Sequence, residues 1–360
     1  MTAPSSPRRA SRVRTWTWKA AIVLTISVGG IWLATHGIAG VAWSEVVAVI
    51  AGVTLARLAL LAAIWAGGLV IYSTVLAGSM PGLGMRRGLL LNLTGSAVSN
   101  VLPLGGAAGT ALNWRMARSW GHSHKAFASF FVLTNALDVL TKLLLPPVAL
   151  AALIALSIYV PATVWALVGG CVLVLLLLVL AHLWTKARSQ ARSQARSQNH
   201  DHPHSNPRPR PAWWTTFVAQ AEDVAGRVRT QLGAHWMRLL PASMAYIAAQ
   251  VLLLSASLHA VGVAAPLAIV LMAAAIERTA SMIPLTPAGT GVAELGTIAW
   301  LVANGLDPVG VVAGVLLYRL FMVVVEVPVG GILLTGWAWL HRGAVEAGRP
   351  PSPDDLKVAA

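Results

Sequence analysis

The chain has 360 residues, of which 57% are hydrophobic and 11% charged, with a mean hydropathy of +0.71. Soluble domains carry about 25% charged residues, so this composition excludes an ordinary soluble domain and indicates a membrane protein. The net charge of +14 comes from basic residues between the apolar runs, which is typical of cytoplasmic loops facing anionic lipid rather than of a nucleic-acid surface.

Basic residues and apolar runs predict the topology of the first part of the chain. Residues 1–18 have the composition of a disordered cytoplasmic tail, and residues 18–35 predict a first retained span. A signal peptide is the alternative for this first apolar run. Residues 46–76 contain no turn signal, so they predict one long, tilted helix that ends before Arg86 and Arg87.

Residues 100–110 interrupt the apolar sequence with Pro103, Gly105 and Gly106. Basic residues flank this stretch on both sides, so both of its ends are expected in the cytoplasm. At about 1.5 Å per residue, each arm is shorter than the roughly 30 Å hydrocarbon core. The pattern predicts a re-entrant hairpin, in which two half-helices meet at a tip beside Pro103.

Two further crossings and a linker follow this hairpin. Residues 126–159 and 164–184 predict helices, and two prolines kink or interrupt the first of them. Residues 186–211 contain Ala-Arg-Ser-Gln three times and then become rich in histidine, arginine and proline, which is typical of a flexible cytoplasmic linker. Nothing holds its histidines in a fixed geometry, so a metal site is not expected there.

The second part of the chain repeats elements of this plan. Residues 212–238 predict an amphipathic helix at the membrane surface, and residues 239–261 and 309–339 predict crossings. Between these crossings, residues 283–291 contain Pro-Leu-x-x-Ala-Gly-Thr, the same pattern that residues 103–110 carry with one residue of slack. The first arm of this second hairpin, residues 266–283, would be about 27 Å long and could nearly span the membrane.

The fold expected from these elements is an all-α polytopic membrane protein with about six full crossings and two re-entrant or broken-helix hairpins. Charge placement puts the ends of the first hairpin inside and those of the second outside, so the two halves form an inverted repeat. Both chain termini are then cytoplasmic. The predicted divisions are a tail at residues 1–18, a membrane block at 19–185, the basic linker at 186–211, a second membrane block at 212–341 and a second tail at 342–360.

Polar groups at membrane depth are the candidates for a site. Helices that begin at the two broken tips would point free N–H groups into a cavity, where they suit a phosphate or a carboxylate. Intramembrane charges suggest function, although structural ion pairs would explain each one equally well. Spacing predicts that Asp138 pairs with Lys142 and that Arg319 shares a helix face with Glu326. Arg278 is the first choice for a cation that faces the cavity.

No catalytic constellation stands out, because the sequence has no His-Glu-x-x-His, no nucleotide-binding glycine loop and no nucleophile–base pair. We therefore expect no enzyme activity, no cofactor and no bound metal. The candidate substrate-binding residues lie at the two tips and among the intramembrane charges: Asn100, Pro103, Gly105, Gly106, Arg115, Asp138, Arg278, Pro284, Thr286, Pro287, Gly289, Gly291, Glu294 and Arg319.

Three elements resemble the lysylphosphatidylglycerol synthase transmembrane-region family, a flippase-like membrane family, over roughly residues 20–340. Residues 283–294 are similar to the family's pattern Pro-x-Thr-Pro-Gly-Gly-x-Gly-x-x-Glu. Residues 318–320, Tyr-Arg-Leu, look like its later arginine element, and residues 100–103, Asn-Val-Leu-Pro, look like its Asn-x-x-Pro element. The resemblance implies a polytopic membrane fold and a lipid substrate.

The first half of the chain departs from the family's pattern. Thr110 and Asn113 stand where the family often has a glutamate and then an arginine, and Thr134-Asn135 where it often has Glu-Arg. Because the first-half site carries fewer charges than the family's pattern, the resemblance does not imply the same substrate as that of other family members. The family's synthases add a soluble aminoacyl-transfer domain, and about twenty residues after His341 are too few for one, so lysyl transfer is not expected.

The resemblance and the duplicated broken helices favour a flippase-like transporter in a bacterial-type plasma membrane. Its substrate would be an anionic lipid or a polyprenyl-linked amphiphile, moved by alternating access, and without an ATP site the movement would be downhill or ion-coupled. The alternative is a non-transporting scaffold or regulator of an envelope-lipid enzyme, which would dock on the basic linker. The expected partners are anionic membrane lipids and no nucleic acid, and the oligomeric state stays open.

Overall fold

The structure is a computed structural model, which describes residues 29, 32–102, 105–198, 212–282 and 290–340. These residues are helical apart from short connections, and no strand occurs among them. Five of the described helices are long and apolar enough to cross a membrane. The chain is therefore an integral membrane protein of the all-α class.

The first described elements are a π-helical turn and two α-helices, at Leu33–Ile38, Trp43–Ala51 (α1) and Leu55–Ser79 (α2). The prediction of one unbroken helix over residues 46–76 was wrong, because the chain leaves the helical path at residues 52–54. Thr54 begins α2, since its side chain accepts a hydrogen bond of 3.4 Å from the backbone N–H of Arg57. The Arg57 guanidinium in turn donates to the carbonyl oxygen of Ala260 at 2.8 Å.

Two half-length helices form the first hairpin, at Met85–Val101 (α3) and Gly105–Ser119 (α4). At about 1.5 Å per residue they are about 26 Å and about 23 Å long, so neither crosses a core of about 30 Å. The arms pack closely against each other, because a side chain on Gly105 or Gly109 would collide with Ser99. Both expected half-helices are present, and the predicted tip at residues 103–104 lies outside the described residues.

Three long helices form the middle of the chain, at His124–Ala155 (α5), Ala162–Gln198 (α6) and Ala212–Ala260 (α7). Helix α5 contains Pro146 and Pro147 without a break in the helix. Helix α6 continues beyond its membrane-length part, Ala162–Ala181, so residues 187–198 are helical rather than flexible linker. The reason is that Ala, Arg and Gln favour helix, and extending an existing helix needs no new nucleus.

Helix α7 differs from the prediction in a similar way. Residues 212–238 do not form a separate surface helix, because one helix runs from Ala212 through Pro241 to Ala260. Its membrane-length part is Asp223–Ala260. Residues 199–211, which join α6 to α7, lie outside the described residues.

The chain ends with a second pair of short helices and one long helical segment, at Leu267–Ala280 (α8), Val292–Ala303 (α9), Pro308–Arg319 (α10), the π-helical Leu320–Val325 and Glu326–Leu340 (α11). Helices α8 and α9 are about 21 Å and about 18 Å long and pack together, so neither spans. The first arm is shorter than the predicted 27 Å, since the helix ends at Ala280. Residues 283–289, the predicted tip, lie outside the described residues.

Five of the six predicted crossings coincide with described helices of membrane length. These are Leu55–Ser79, His124–Ala155, Ala162–Ala181, Asp223–Ala260 and Pro308–Leu340. The remaining predicted crossing, residues 18–35, lies almost wholly outside the described residues.

Three clusters of buried apolar side chains hold the described helices together, and the smallest, Val75, Leu133, Leu137 and Leu239, joins α2, α5 and α7. The largest cluster joins α8, α9 and α10 to parts of α2, α5, α6 and α7. The second cluster joins α3 and α4 to the beginning of α5 and to Trp337 of α11. Each hairpin therefore has its own apolar cluster, and α2 and α5 contribute to both of these.

Cysteine labelling tests the predicted membrane topology. The background is Cys171→Ser, because the native Cys171 is buried and replaceable by a small side chain. We expect His124→Cys, after the first hairpin, and Asn206→Cys, in the linker, to react with an impermeant maleimide from the cytoplasmic side. Ala303→Cys, after the second hairpin, should react from the outside only. Labelling of His124→Cys from the outside would contradict the first re-entrant hairpin.

Candidate functional site

A polar cavity of about 910 Å³ lies beside the first hairpin. Its walls come from α2, α3, α4 and α5, and residues of α7 and of the last helical segment close it. Among the described residues of the lining, Glu326 is the only Asp, Glu, Lys, Arg or His. Amide and hydroxyl side chains supply the other polar groups of the lining: Tyr72, Asn92, Ser96, Ser99, Asn100, Thr110, Asn113, Thr134, Asn135 and Tyr246.

Close contact between the hairpin arms brings amides of both helices into one wall. A side chain on Gly95 of α3 would come within 2.6 Å of the Asn113 Nδ2 atom of α4, so glycine permits this approach. The Asn92 Nδ2 and Asn113 Oδ1 atoms are buried and have no hydrogen-bond partner among the described residues. A buried polar atom without a partner costs about 1–3 kcal/mol, so both atoms are suited to bind a polar ligand group.

A buried ion-pair network, made of Glu277, Arg278, Glu294 and Arg319, joins the second hairpin to α10. The Arg319 Nε atom lies 2.6 Å from Glu294 Oε1, and its Nη1 atom lies 3.2 Å from Glu277 Oε1. Only 8% of Arg319 and less than 5% of either glutamate are exposed. With two arginines and two glutamates, the network is electrically neutral, as burial at membrane depth requires.

The geometry of the second hairpin positions this network. Gly291 has a φ of 93°, which favours glycine, and its backbone N–H donates to Glu294 Oε2 at 2.6 Å. Glu294 therefore holds the beginning of α9 and pairs with Arg319 at the same time. Because Glu294 lies in the first turn of α9, the helix dipole also stabilises the negative charge of its carboxylate.

Arg278 connects the network to the cavity wall. Its Nε atom lies 2.8 Å from Glu277 Oε2, and its Nη2 atom donates to the Tyr318 hydroxyl at 3.0 Å. It also interacts electrostatically with Tyr246 and Glu326, which both line the cavity. A positive charge thus stands behind the wall, held in place by Glu277 and Tyr318.

The structure separates the predicted site residues into groups. Arg278, Gly291, Glu294 and Arg319 meet in or beside the ion-pair network. Asn100 and Gly106 line the cavity, and Gly105 is buried where the hairpin arms touch. The predicted residues Pro103, Pro284, Thr286, Pro287 and Gly289 lie outside the described residues.

Two other predicted residues lie outside both of these sites. The side chain of Asp138 pairs with Lys142 at 2.8 Å, as the spacing predicted, and it is not part of the cavity lining. Arg115 is exposed on α4 and is also absent from the lining.

Sequence reasoning missed the role of Glu326 in the cavity. The spacing of seven residues predicted that Arg319 and Glu326 share a helix face, yet Arg319 binds Glu277 and Glu294 instead. The π-helical segment Leu320–Val325 lies between them, and its wider turn changes the angle between the two side chains from that of a regular helix. The asparagines of the lining carried a usable signal, because amides within apolar helices need polar partners.

Comparison with known proteins places the chain in a family. The model of the family described as lysylphosphatidylglycerol synthase TM region matches residues 19–330, which include all helices of the cavity and most of the last one. The comparison with curated proteins gave no match. Because the family model covers most of the chain and both hairpins, the protein belongs to the lysylphosphatidylglycerol synthase transmembrane-region family.

Proposed function

We propose that the protein is a flippase-like transporter that moves the head group of an amphiphile across the membrane through the cavity beside the first hairpin. The observation that carries this proposal is a cavity of about 910 Å³ whose lining combines ten amide and hydroxyl side chains with aromatic and aliphatic ones, inside a bundle of apolar helices. Polar groups at membrane depth are costly unless they face other polar groups, water or a ligand. Ligand pockets commonly measure about 300–1,000 Å³, so the volume suits a lipid head group.

The lining favours a phosphate-bearing or sugar-bearing head group. Amides and hydroxyls both donate and accept hydrogen bonds, as phosphate oxygens and sugar hydroxyls require. The Arg278 guanidinium acts electrostatically on Tyr246 and Glu326 even though Glu277 pairs with it, and this favours negative charge in the cavity. The substrate is accordingly an anionic lipid or a polyprenyl-linked amphiphile, whose chains stay in the bilayer while its head group occupies the cavity.

The two hairpins support alternating access as the mechanism. Each consists of two packed helices too short to span, and each precedes a long helix, as in transporters built from inverted repeats. We place the protein in a plasma membrane with cytoplasmic termini, on the basis of the basic loops. It acts as a transporter without catalysing a reaction, and its partners are the membrane lipids themselves.

Blocking the cavity should stop transport. Ala107 is exposed in the lining of α4, so Ala107→Trp would place a bulky indole ring in the path of the head group. In phosphatidylcholine vesicles with traces of fluorescent phosphatidylglycerol, we expect the wild type to expose the inner-leaflet label to an external quencher. Ala107→Trp should reduce this exposure to the level of empty vesicles.

A matched substitution on a lipid-facing helix controls for the added tryptophan. Ala166 is exposed on α6 and absent from the cavity lining, so Ala166→Trp should transport like the wild type. The same assay is repeated with phosphatidylinositol and a polyprenyl phosphate. If the wild type moves none of these lipids faster than empty vesicles, the transport function is wrong, and an interaction role remains to be tested by deleting residues 199–211.

A further inference from the structure

Glu326 lies near the middle of the last membrane-length helix. It follows Pro308 by 18 residues and precedes Leu340 by 14, within the 33-residue span Pro308–Leu340. It begins α11 directly after the π-helical segment, a type of irregularity that is frequent at functional sites. Only 6% of the residue is exposed, and yet it lines the polar cavity.

Glu326 differs from the other two buried glutamates in its partners. Glu277 and Glu294 both pair with Arg319, whereas Glu326 forms no salt bridge within the described part of the chain. Its hydrogen-bonding neighbours are Ser96 of α3 and Trp65 of α2. The nearby Arg278 is already bound to Glu277 and Tyr318, so it attracts the Glu326 carboxyl from a distance without contacting it.

A second cavity of about 10 Å³, with room for one water molecule at most, also borders Glu326. It is lined by Glu326 together with Trp65, Tyr246 and Gln250. Gln250 is 5% exposed, and neither of its side-chain amide atoms has a hydrogen-bond partner among the described residues. Glu326 therefore lines both the large cavity and the small one that contains the buried amide of Gln250.

The titratable and charged groups around Glu326 come from four packed elements. Helix α2 contributes Tyr72, α7 contributes Tyr246, and α8 contributes Arg278. Helix α3 contributes Ser96 and Asn92 but no charged side chain to the lining. The acidic Asp138 of α5 interacts with Tyr72 and pairs with Lys142. Glu326 is thus the carboxyl through which the charge of this cavity can change.

We propose that Glu326 couples transport to protons, by taking up one proton whenever an anionic head group occupies the cavity. This inference rests on the proposed function. An ionised Glu326 and an anionic head group would repel each other in one poorly solvated space, so binding of the anion favours the protonated carboxyl. By linkage, protonation in turn favours binding of the anion, and the two move together as a neutral unit.

The step is a simple proton transfer. A hydronium ion from the water in the cavity gives its proton to a Glu326 carboxylate oxygen and leaves as water. After the cavity opens to the other side and the head group departs, the carboxyl returns its proton to water there. No other bond forms or breaks, and no oxidant or reductant is needed.

A pH gradient across vesicles tests the coupling. One proton carried with each anion can concentrate the lipid in the leaflet facing the alkaline side by up to about tenfold per pH unit, because one unit corresponds to about 1.36 kcal/mol. With fluorescent phosphatidylglycerol in phosphatidylcholine vesicles, we expect this asymmetry for the wild type. Glu326→Gln should equilibrate the lipid equally between leaflets, and Glu326→Asp should restore part of the asymmetry.

The exposed Glu45 supplies the control, since Glu45→Gln makes the same change far from the cavity and should keep the full asymmetry. A wild type that moves the lipid but leaves it equally distributed under the gradient overturns the coupling and leaves the transporter intact. Accumulation that persists in Glu326→Gln also overturns it.

An infrared measurement separates this inference from the proposed function. Spectra of the reconstituted wild type between about pH 4 and about pH 9, the range in which protein carboxyls titrate, should show a protonated-carboxyl band that is missing in Glu326→Gln. Adding phosphatidylglycerol should raise the pH at which this band disappears. If no lipid is transported, the proposed function fails; if this band is absent or unmoved by the lipid, the coupling fails on its own evidence. Thermal unfolding confirms that each variant is folded.

Discussion

Replacing Arg319 by methionine should lower the free energy of unfolding by about 3–5 kcal/mol. The substitution leaves Glu294 without its arginine partner at 2.6 Å and removes one of the two arginines that bind Glu277. Breaking a buried ion pair from one side has this large effect because the remaining charge stays buried and uncompensated. The measurement is unfolding in mixed micelles, followed by circular dichroism as the fraction of denaturing detergent rises.

Two further variants separate the lost pairing from the change of side chain. Arg229 is exposed on α7, so Arg229→Met should change the free energy of unfolding by less than about 0.5 kcal/mol. The double variant Arg319→Met with Glu294→Gln should be less destabilised than the sum of the single variants, since the second change removes the orphaned charge. Strict additivity would contradict direct pairing of Arg319 with Glu294.

Gly330→Ala should destabilise the protein by about 1–3 kcal/mol, the usual effect of overpacking a close contact. A Cβ atom on Gly330 of α11 would stand 2.6 Å from the Ala97 Cβ and closer still to the Leu93 carbonyl oxygen of α3. Backbone atoms of α3 cannot move aside as a flexible side chain would. The measurement is the same unfolding experiment, together with the flipping assay, because α3 carries part of the cavity wall.

The neighbouring glycine is the matched control for this substitution. A Cβ on Gly331 would meet nothing within 4 Å, and alanine favours helix over glycine by about 1 kcal/mol. Gly331→Ala should therefore leave the stability unchanged or raise it slightly. Equal effects at the two positions would contradict the close contact between α3 and α11.

The sequence was sufficient for the short paired helices and for most crossings, because these depend on local signals. Prolines and glycines mark the broken helices, and the length of apolar runs marks the spans. The break between α1 and α2 was missed because only Gly52 and the capping Thr54 mark it, within a long apolar run. The helical extension of α6 was missed because low complexity suggested flexibility, although the repeated residues favour helix.

The candidate site could be predicted only in part. Intramembrane charge identified Arg278, Glu294 and Arg319, but it could not show that they bind one another, since that depends on how α8, α9 and α10 pack. The cavity depends on the packing of α3 and α4 against α2 and α5, which no local pattern encodes. The shared face predicted for Arg319 and Glu326 assumed a regular helix, and no local pattern marked the π-helical segment between them.

The contrast between the two hairpins indicates which of them needs less free energy to move. Arg319 ties α10 to both arms of the second hairpin, and pulling these ions apart in a medium of low dielectric constant would cost several kcal/mol. The arms of the first hairpin meet through glycine and serine, so sliding one past the other separates no charge. If the protein transports by alternating access, we therefore expect the first hairpin to move and the second hairpin to stay with α10.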